Sequence, residues 1–136
     1  KGQRSDRPAE LLDLFPTLLE LAGLPVDSSQ EGQSLAPLMK DPKKEWNHPA
    51  ITSFGLGNYS VRSTRYRFIQ YFDGSRELYD LSLDPHEWKN LATEPKNKTI
   101  IEEHAAHLPK KEHPILPGGS TGHNAYGAAN AKVEKD

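Results

Sequence analysis

The chain has 136 residues, 35% hydrophobic and 26% charged, with 11 prolines and 10 glycines and a mean hydropathy of -0.76, which suits one core with much loop and a polar surface. Seventeen basic against nineteen acidic side chains leave a formal charge of -2, which excludes a bulk electrostatic drive toward nucleic acid or anionic membrane. No apolar run approaches the roughly 20 residues of a membrane span, and the absence of cysteine removes disulfides, thiolate metal sites and cysteine nucleophiles together.

The opening "KGQRSDRP" has no apolar signal core and reads as the middle of something longer. In "PAELLDLFPTLLELAGLPV", Leu11, Leu14, Phe15, Leu18, Leu19 and Ala22 recur at spacings of three and four, which predicts a helix with one buried face. Pro16 restricts its start to near Asp13, an acceptable N-cap, while Gly23 closes it and Pro25 prevents continuation. Residues 26–49 are polar and rich in turn formers, a connecting segment with one short apolar cluster at Leu35, Leu38 and Met39 that fits a single helical turn.

From Ala50 the texture turns to β. "AITSF", "NYSVRS", "YRFIQYF" and "ELYDL" are short, rich in β-branched and aromatic residues, and separated by Gly55/Gly57, Thr64-Arg65 and Asp73-Gly74. They predict a meander of three or four antiparallel strands, with Asp73-Gly74 the strongest hairpin signal as a type I′ turn. Next, Asp84, Pro85 and Glu87 are spaced to cap a helical turn, which would lay Trp88 and Leu91 together on the sheet. In "TIIEEHAAHL", Thr99 and Glu102 suggest a capping box, and Ile101, Ala105 and Leu108 an apolar stripe covering the sheet before Pro109. The tail from Lys110 has no sustained periodicity and predicts an irregular extension. The fold class is therefore α+β: a small antiparallel sheet packed against a C-terminal helix and preceded by one further helix. The organisation is 1–25, 26–49, 50–108 and 109–136.

Three groups of residues invite a chemical reading. His104 and His107, with Glu103 beside them, are spaced to face one metal on a helix, but an i,i+3 pair without a third ligand is a weak motif, and solvated helix surface is the stronger reading. In "GLGNYSVRS", two glycines bend the chain beside Asn58, Tyr59 and Arg62. That composition fits a binding loop at the lip of a sheet and, equally simply, an ordinary hairpin with surface polars. Asp80, Asp84 and Glu87 are spaced for capping, and no nucleophile with a neighbouring base can be picked out. Trp88 sits in a periodic apolar pattern that favours core over a sugar-stacking platform. Asn58-Tyr59-Ser60 and Asn97-Lys98-Thr99 match the N-glycosylation pattern. No catalytic or metal-binding residue is assigned, and no cofactor.

Taken in order, "LLDLFPTLLELAGLP" (11–25), "EGQSLAPLM" (31–39), "NYSVRSTRYRFIQY" (58–71) and "DGSRELYDLSLDPHEWKNLA" (73–92) resemble the C-terminal portion of a type I, formylglycine-dependent sulfatase of the alkaline-phosphatase-like superfamily. The resemblance covers most of residues 1–108. It implies a large N-terminal catalytic domain of the same chain, to which the first helix would belong, carrying the Cys/Ser-x-Pro-x-Arg nucleophile motif and the Ca²⁺ ligands. This sequence has no such motif, so it implies a segment inactive alone that supports the fold and lines the pocket rim. Asn58, Tyr59 and Arg62 are its implied substrate-binding residues, for a sulfated small molecule or glycan. The resemblance also implies a periplasmic, extracellular or secretory location. The other readings are a free-standing binding or scaffold module, or part of a relative acting on phosphate or phosphonate esters.

Overall fold

The computed structural model describes residues 2–111. The expected irregular tail falls almost wholly outside them. The chain divides into two compact units, one running through Ala50 and including Arg62–Arg65, the other comprising Ile51–Val61 and the residues from Tyr66 on.

The first unit begins with a 3₁₀ turn, Leu11–Asp13, that runs directly into α1 (Leu14–Leu21). Asp13 is the N-cap residue, as the spacing predicts, but its carboxylate does not cap the helix. Fully buried, it instead accepts Glu10 N–H on Oδ2 at 2.9 Å and Gln33 N–H on Oδ1 at 2.8 Å. One turn on, the Thr17 hydroxyl donates to Asp13 O and accepts Leu35 N–H at 2.8 Å. These two side chains fasten the connecting segment to the helix, and Gly32 lets the backbones meet: a Cβ there would lie 2.0 Å from Leu12 O. Gly23, at φ 68°, ends α1 as expected, with Gly23 N–H donating to Glu20 O and Leu24 N–H to Leu19 O, the paired bonds of a Schellman ending. The short apolar cluster forms α2 (Ala36–Lys40), which buries Ala36 and Leu38. Trp46, also buried, donates its indole N–H to Pro8 O at 3.1 Å.

For this unit periodicity alone predicts a buried stripe, whereas the resemblance, which assigns the first helix to a large N-terminal domain, implies that Leu14, Leu18 and their neighbours form an exposed apolar patch, and the second expectation is the one met. The helix forms, but its apolar stripe is not buried: Leu11, Leu14, Phe15, Leu18 and Leu21 are all more than half exposed, and the residues that α1 does bury are Pro16 and Thr17. The polar ties of Asp13 and Thr17 dictate which face turns inward.

The second unit is built on a four-stranded sheet in the order β1 (Ala50–Ser53), β2 (Tyr59–Arg62), β3 (Tyr66–Gln70), β4 (Arg76–Asp80). This is the predicted meander. β3 and β4 pair antiparallel with Phe68 opposite Leu78. Phe68, Leu78 and Val61 are fully buried, and Ile101 of α3 (Lys98–Ala105) closes over them with Ile100, Ala105 and Leu108. The sheet and its covering helix confirm the α+β class.

Local details differ from the sequence expectations. In the β3–β4 connection Gly74 takes φ 82°, while Asp73 keeps a negative φ. Gly74 N–H donates to Tyr71 O at 3.0 Å and Tyr71 N–H to Ser75 O at 2.9 Å, so the hairpin is a three-residue loop of the type I plus bulge class and not type I′. No helical turn forms at Asp84: Glu87 adopts φ 60° and pairs with Arg67 instead of reaching back to the Asp84 amide. Trp88 is 84% exposed and therefore not core. Asn97, not Thr99, is the N-cap of α3, because a 3₁₀ turn at Pro95–Asn97 starts the helix early. Asn90 supplies a function that spacing alone does not show. Its Oδ1 accepts Leu78 N–H at 3.1 Å and its Nδ2 donates to Arg76 O at 3.2 Å, while Leu91 N–H donates to Leu78 O at 2.8 Å. The "KNLA" segment thus caps the edge of β4 that would otherwise be open to pairing.

Candidate functional site

Alternation along strands places Ile69 and Tyr71 on the side of β3 opposite Phe68, and Ser60 on the side of β2 opposite Val61. Thr52 and Phe54 extend the same surface from β1. A cavity of about 270 Å³ lies there, lined by Thr52, Phe54, Asn58, Tyr59, Ser60, Ile69 and Tyr71. Three aromatic residues, two of them tyrosines, surround it with one aliphatic side chain, the hydroxyl residues Thr52 and Ser60, and an amide. This is the composition of a site that holds a ring through its apolar face and orients it through a few polar atoms.

The loop at its edge is rigidly clamped. Gly55 and Gly57 take φ 68° and 73°. A Cβ on Gly57 would press on Phe72 at 3.0 Å, so glycine there permits a close approach of the two loops. Asn58 fastens them: Nδ2 donates to Leu56 O at 2.9 Å, and Oδ1 accepts Phe72 N–H at 3.1 Å. Phe54 N–H donates to Asn58 O at 3.0 Å. At the other wall, burial first and then the Glu77 charge and hydrogen bond raise the Tyr71 phenol above its ordinary value. Burial and the same carboxylate, which accepts the Tyr79 hydroxyl at 3.0 Å, push Tyr79 up to about 12. Both phenols are therefore neutral hydrogen-bonding groups at physiological pH.

Of the three residues singled out in sequence, the structure brings Asn58 and Tyr59 to this cavity, Asn58 with its amide engaged to main chain and Tyr59 buried. Arg62 is exposed at the end of β2 and is not among the lining residues. Sequence reasoning missed Phe54, Ile69 and Tyr71. The signal was present in the period-2 parity of "AITSF" and "YRFIQYF", which puts 52 with 54 and 69 with 71.

The remaining candidates are occupied with construction. His104 is buried, its Nδ1 2.7 Å from Ile100 O and its ring edge-on to Tyr66 at 6.0 Å, so it is packed rather than solvated, while His107 is exposed. Asp80 accepts the Ser82 amide and hydroxyl, Asp84 accepts Lys89 N–H, and Glu87 pairs with Arg67. One other cluster, unnoticed in sequence, joins Glu10, Asp13 and His48, with donor atoms within 4.8 Å of one another. His48 Nε2 lies 3.5 Å from Asp13 Oδ1 and 3.7 Å from Glu10 Oε1. Both Asp13 oxygens already accept main-chain N–H groups, so the arrangement ties residues 10, 13, 33 and 48 together.

Residues 1–113 match the sequence family described as N-sulphoglucosamine sulphohydrolase, C-terminal. The chain belongs to this family. The sulfatase subdomain is 44% identical over 110 residues to a sulfatase from Formosa agariphila, covering 81% of the chain and 22% of that protein. It is 42% identical over 106 residues to a Delta 4,5-hexuronate-2-O-sulfatase from Bacteroides thetaiotaomicron, covering 71% and 22%. The solved structure of a 2-O GAG sulfatase superposes with TM-score 0.62 at 33% identity, over 78% of this chain and 25% of that one. The subdomain thus spans about a fifth of the length of the relatives it matches.

Proposed function

We propose that this chain serves a larger sulfate-ester hydrolase as the rim of its substrate pocket, with the cavity at Thr52, Phe54 and Tyr71 receiving the sugar or alcohol that bears the sulfate. The observation that carries this reading is the cavity itself, three aromatic residues with Thr52 and Ser60 beside a loop pair clamped by Asn58 and Gly57. Catalysis belongs to an N-terminal domain of the same protein, which would hold the formylglycine nucleophile and Ca²⁺ that the sulfatase resemblance implies. The exposed stripe of α1 is the surface on which that domain would rest, because a contiguous apolar face of this kind marks an interaction site. A periplasmic or extracellular location accords with a glycan substrate.

In this reading Asn58 positions the loop, Tyr59 walls the cavity, and Arg62 reaches substrate only from outside it. Substituting Tyr71→Ala or Phe54→Ala in the native-length protein should raise KM for a sulfated saccharide about tenfold while leaving kcat on a small aryl sulfate unchanged, the pattern of lost uniform binding. An unchanged KM for both variants would sink the assignment. Turnover of phosphate monoesters or phosphonates in preference to sulfates would place the protein with the other esterases of the superfamily.

A further inference from the structure

The cavity in the second unit has a sign as well as a shape. None of the described residues that line it is charged: its polar groups are the hydroxyls of Thr52 and Ser60, the phenols of Tyr59 and Tyr71, and the Asn58 amide. Asn58 is engaged to main chain, with Nδ2 donating to Leu56 O at 2.9 Å and Oδ1 accepting Phe72 N–H at 3.1 Å. The charge that does lie on this side of the sheet is negative. Glu77 stands directly opposite Ile69 in the β3–β4 ladder, so the two side chains share a face, and its carboxylate accepts the Tyr79 hydroxyl at 3.0 Å. Burial first, then the Glu77 charge and hydrogen bond, then the Asp73 charge hold the Tyr71 phenol above its ordinary value. Arg67, on the same side of β3 as Ile69, is held by Glu87 at 2.7 Å, and Arg62 is exposed and outside the lining.

An anion leaves water for a protein cavity only where charged or charge-assisted donors replace its hydration. Here it would meet neutral hydroxyls with two carboxylates behind them, whereas sugar hydroxyls both donate and accept and so match such walls. At about 270 Å³ the cavity is also smaller than the roughly 300–1,000 Å³ of pockets that enclose drug-sized ligands, which suits it to one ring. We propose that the cavity selects against charge: it seats a single uncharged sugar ring whose only acidic group is the sulfate ester to be hydrolysed, and it rejects a ring that carries a carboxylate or a second sulfate into the cavity. This inference rests on the proposed role of the cavity as the substrate rim and names which rings that rim admits. A doubly sulfated ring would become a substrate only after another hydrolysis had replaced the second sulfate by a hydroxyl, consuming water and releasing inorganic sulfate.

The test gives the native-length protein matched pairs of sugars: glucose 2-O-sulfate and glucose 3-O-sulfate, each against glucuronic acid sulfated at the same position, and N-acetylglucosamine 6-O-sulfate against its 3,6-disulfate. The readout is kcat/KM or, for a sugar that is not turned over, its Ki as a competitive inhibitor of small aryl sulfate hydrolysis. Within at least one pair the uncharged ring should be favoured by about a hundredfold or more, the scale of a like-charge contact. Thr52→Lys, which sets an ammonium at an exposed position of the lining, should cut that preference by about tenfold or more. Because the preference is a ratio within one variant, it does not depend on how much of the protein folds. Tyr71→Ala separates this inference from the reading beneath it. Unmoved KM and Ki in that variant, or inhibition by no member of any pair, would mean that the cavity holds no substrate, and both fall. A raised KM in Tyr71→Ala, with the parent protein taking the acidic ring as readily as the uncharged one in every pair, leaves the cavity reading standing and overturns the selection against charge. An unaltered preference in Thr52→Lys overturns it too, by assigning the discrimination to another part of the protein.

Discussion

α1 and α3 are each eight residues long, yet α1 turns Leu14, Phe15, Leu18 and Leu21 to solvent whereas α3, the more polar of the two, buries Ile101 and His104. The contrast extends to the units around them. The sheet unit rests on a dry cluster of Val61, Phe68, Leu78 and Ile101. The α1 unit rests on polar ties, Asp13 to Gln33 and Thr17 to Leu35, with its own apolar stripe left facing out. Apolar periodicity records a demand for cover. Which surface provides the cover is decided by whatever can pack there, and for α1 nothing in its own unit does.

The largest effects should come from the dry cluster. Phe68→Ala should cost about 3–5 kcal/mol in urea unfolding of this chain, the range for emptying a fully buried ring site. If Leu18→Ala costs as much, the contrast between the helices collapses. Next, Gly32→Ala sets a Cβ against the Leu12 carbonyl and should cost roughly 3 kcal/mol, the upper end for overpacking because neither backbone can give way. A loss below 1 kcal/mol would mean that the first unit is looser than its hydrogen bonds indicate.

Removing the polar tie itself, Asp13→Ala, should cost about 1.5–3 kcal/mol, since two main-chain N–H groups lose a charged acceptor. Backbone amide exchange at Glu10 and Gln33 should speed up while that of Leu78 stays slow.

A smaller effect is expected at high pH. Tyr79 is raised to about 12 in the folded chain, by burial and then by Glu77. The folded state therefore keeps a proton that the unfolded state releases, and the resulting stability is complete below about pH 10 and lost as pH climbs toward 12. Absorbance titration of tyrosinate should show this phenol ionising late, and Tyr79→Phe should abolish the late step. The smallest effect belongs to the stripe: Leu18→Ser should change the stability of this chain by less than about 0.5 kcal/mol, but should cost several-fold more in a native-length protein where that face is covered.

Legibility followed the range of the interaction involved. Strands, helices and their order could be read because alternation and three-to-four spacing are local, and Gly23 and Gly74 marked real chain reversals. The misreadings arose where a distant residue outcompeted a local partner. Arg67 took Glu87 away from the Asp84 amide, and with it went the predicted helical turn and the burial of Trp88. At the cavity, Asn58 and Tyr59 could be named because a glycine-rich strand entry is visible in the letters. Phe54 and Tyr71 join them only through strand pairing, and Arg62 separates from them because it ends its strand.

The sequence by itself determined most of the elements, the meander and the α+β class, because each rests on periodicities and turn residues within a few positions of one another, and the order of its motifs carried the family resemblance. Only the tertiary structure decided which apolar residues are covered, that Asn58 and Asn90 serve the main chain, and that Trp88 stands in solvent. Those outcomes depend on competition among hydrogen-bond and packing partners far apart in the chain, and that competition is settled only when the backbone brings the candidates within reach.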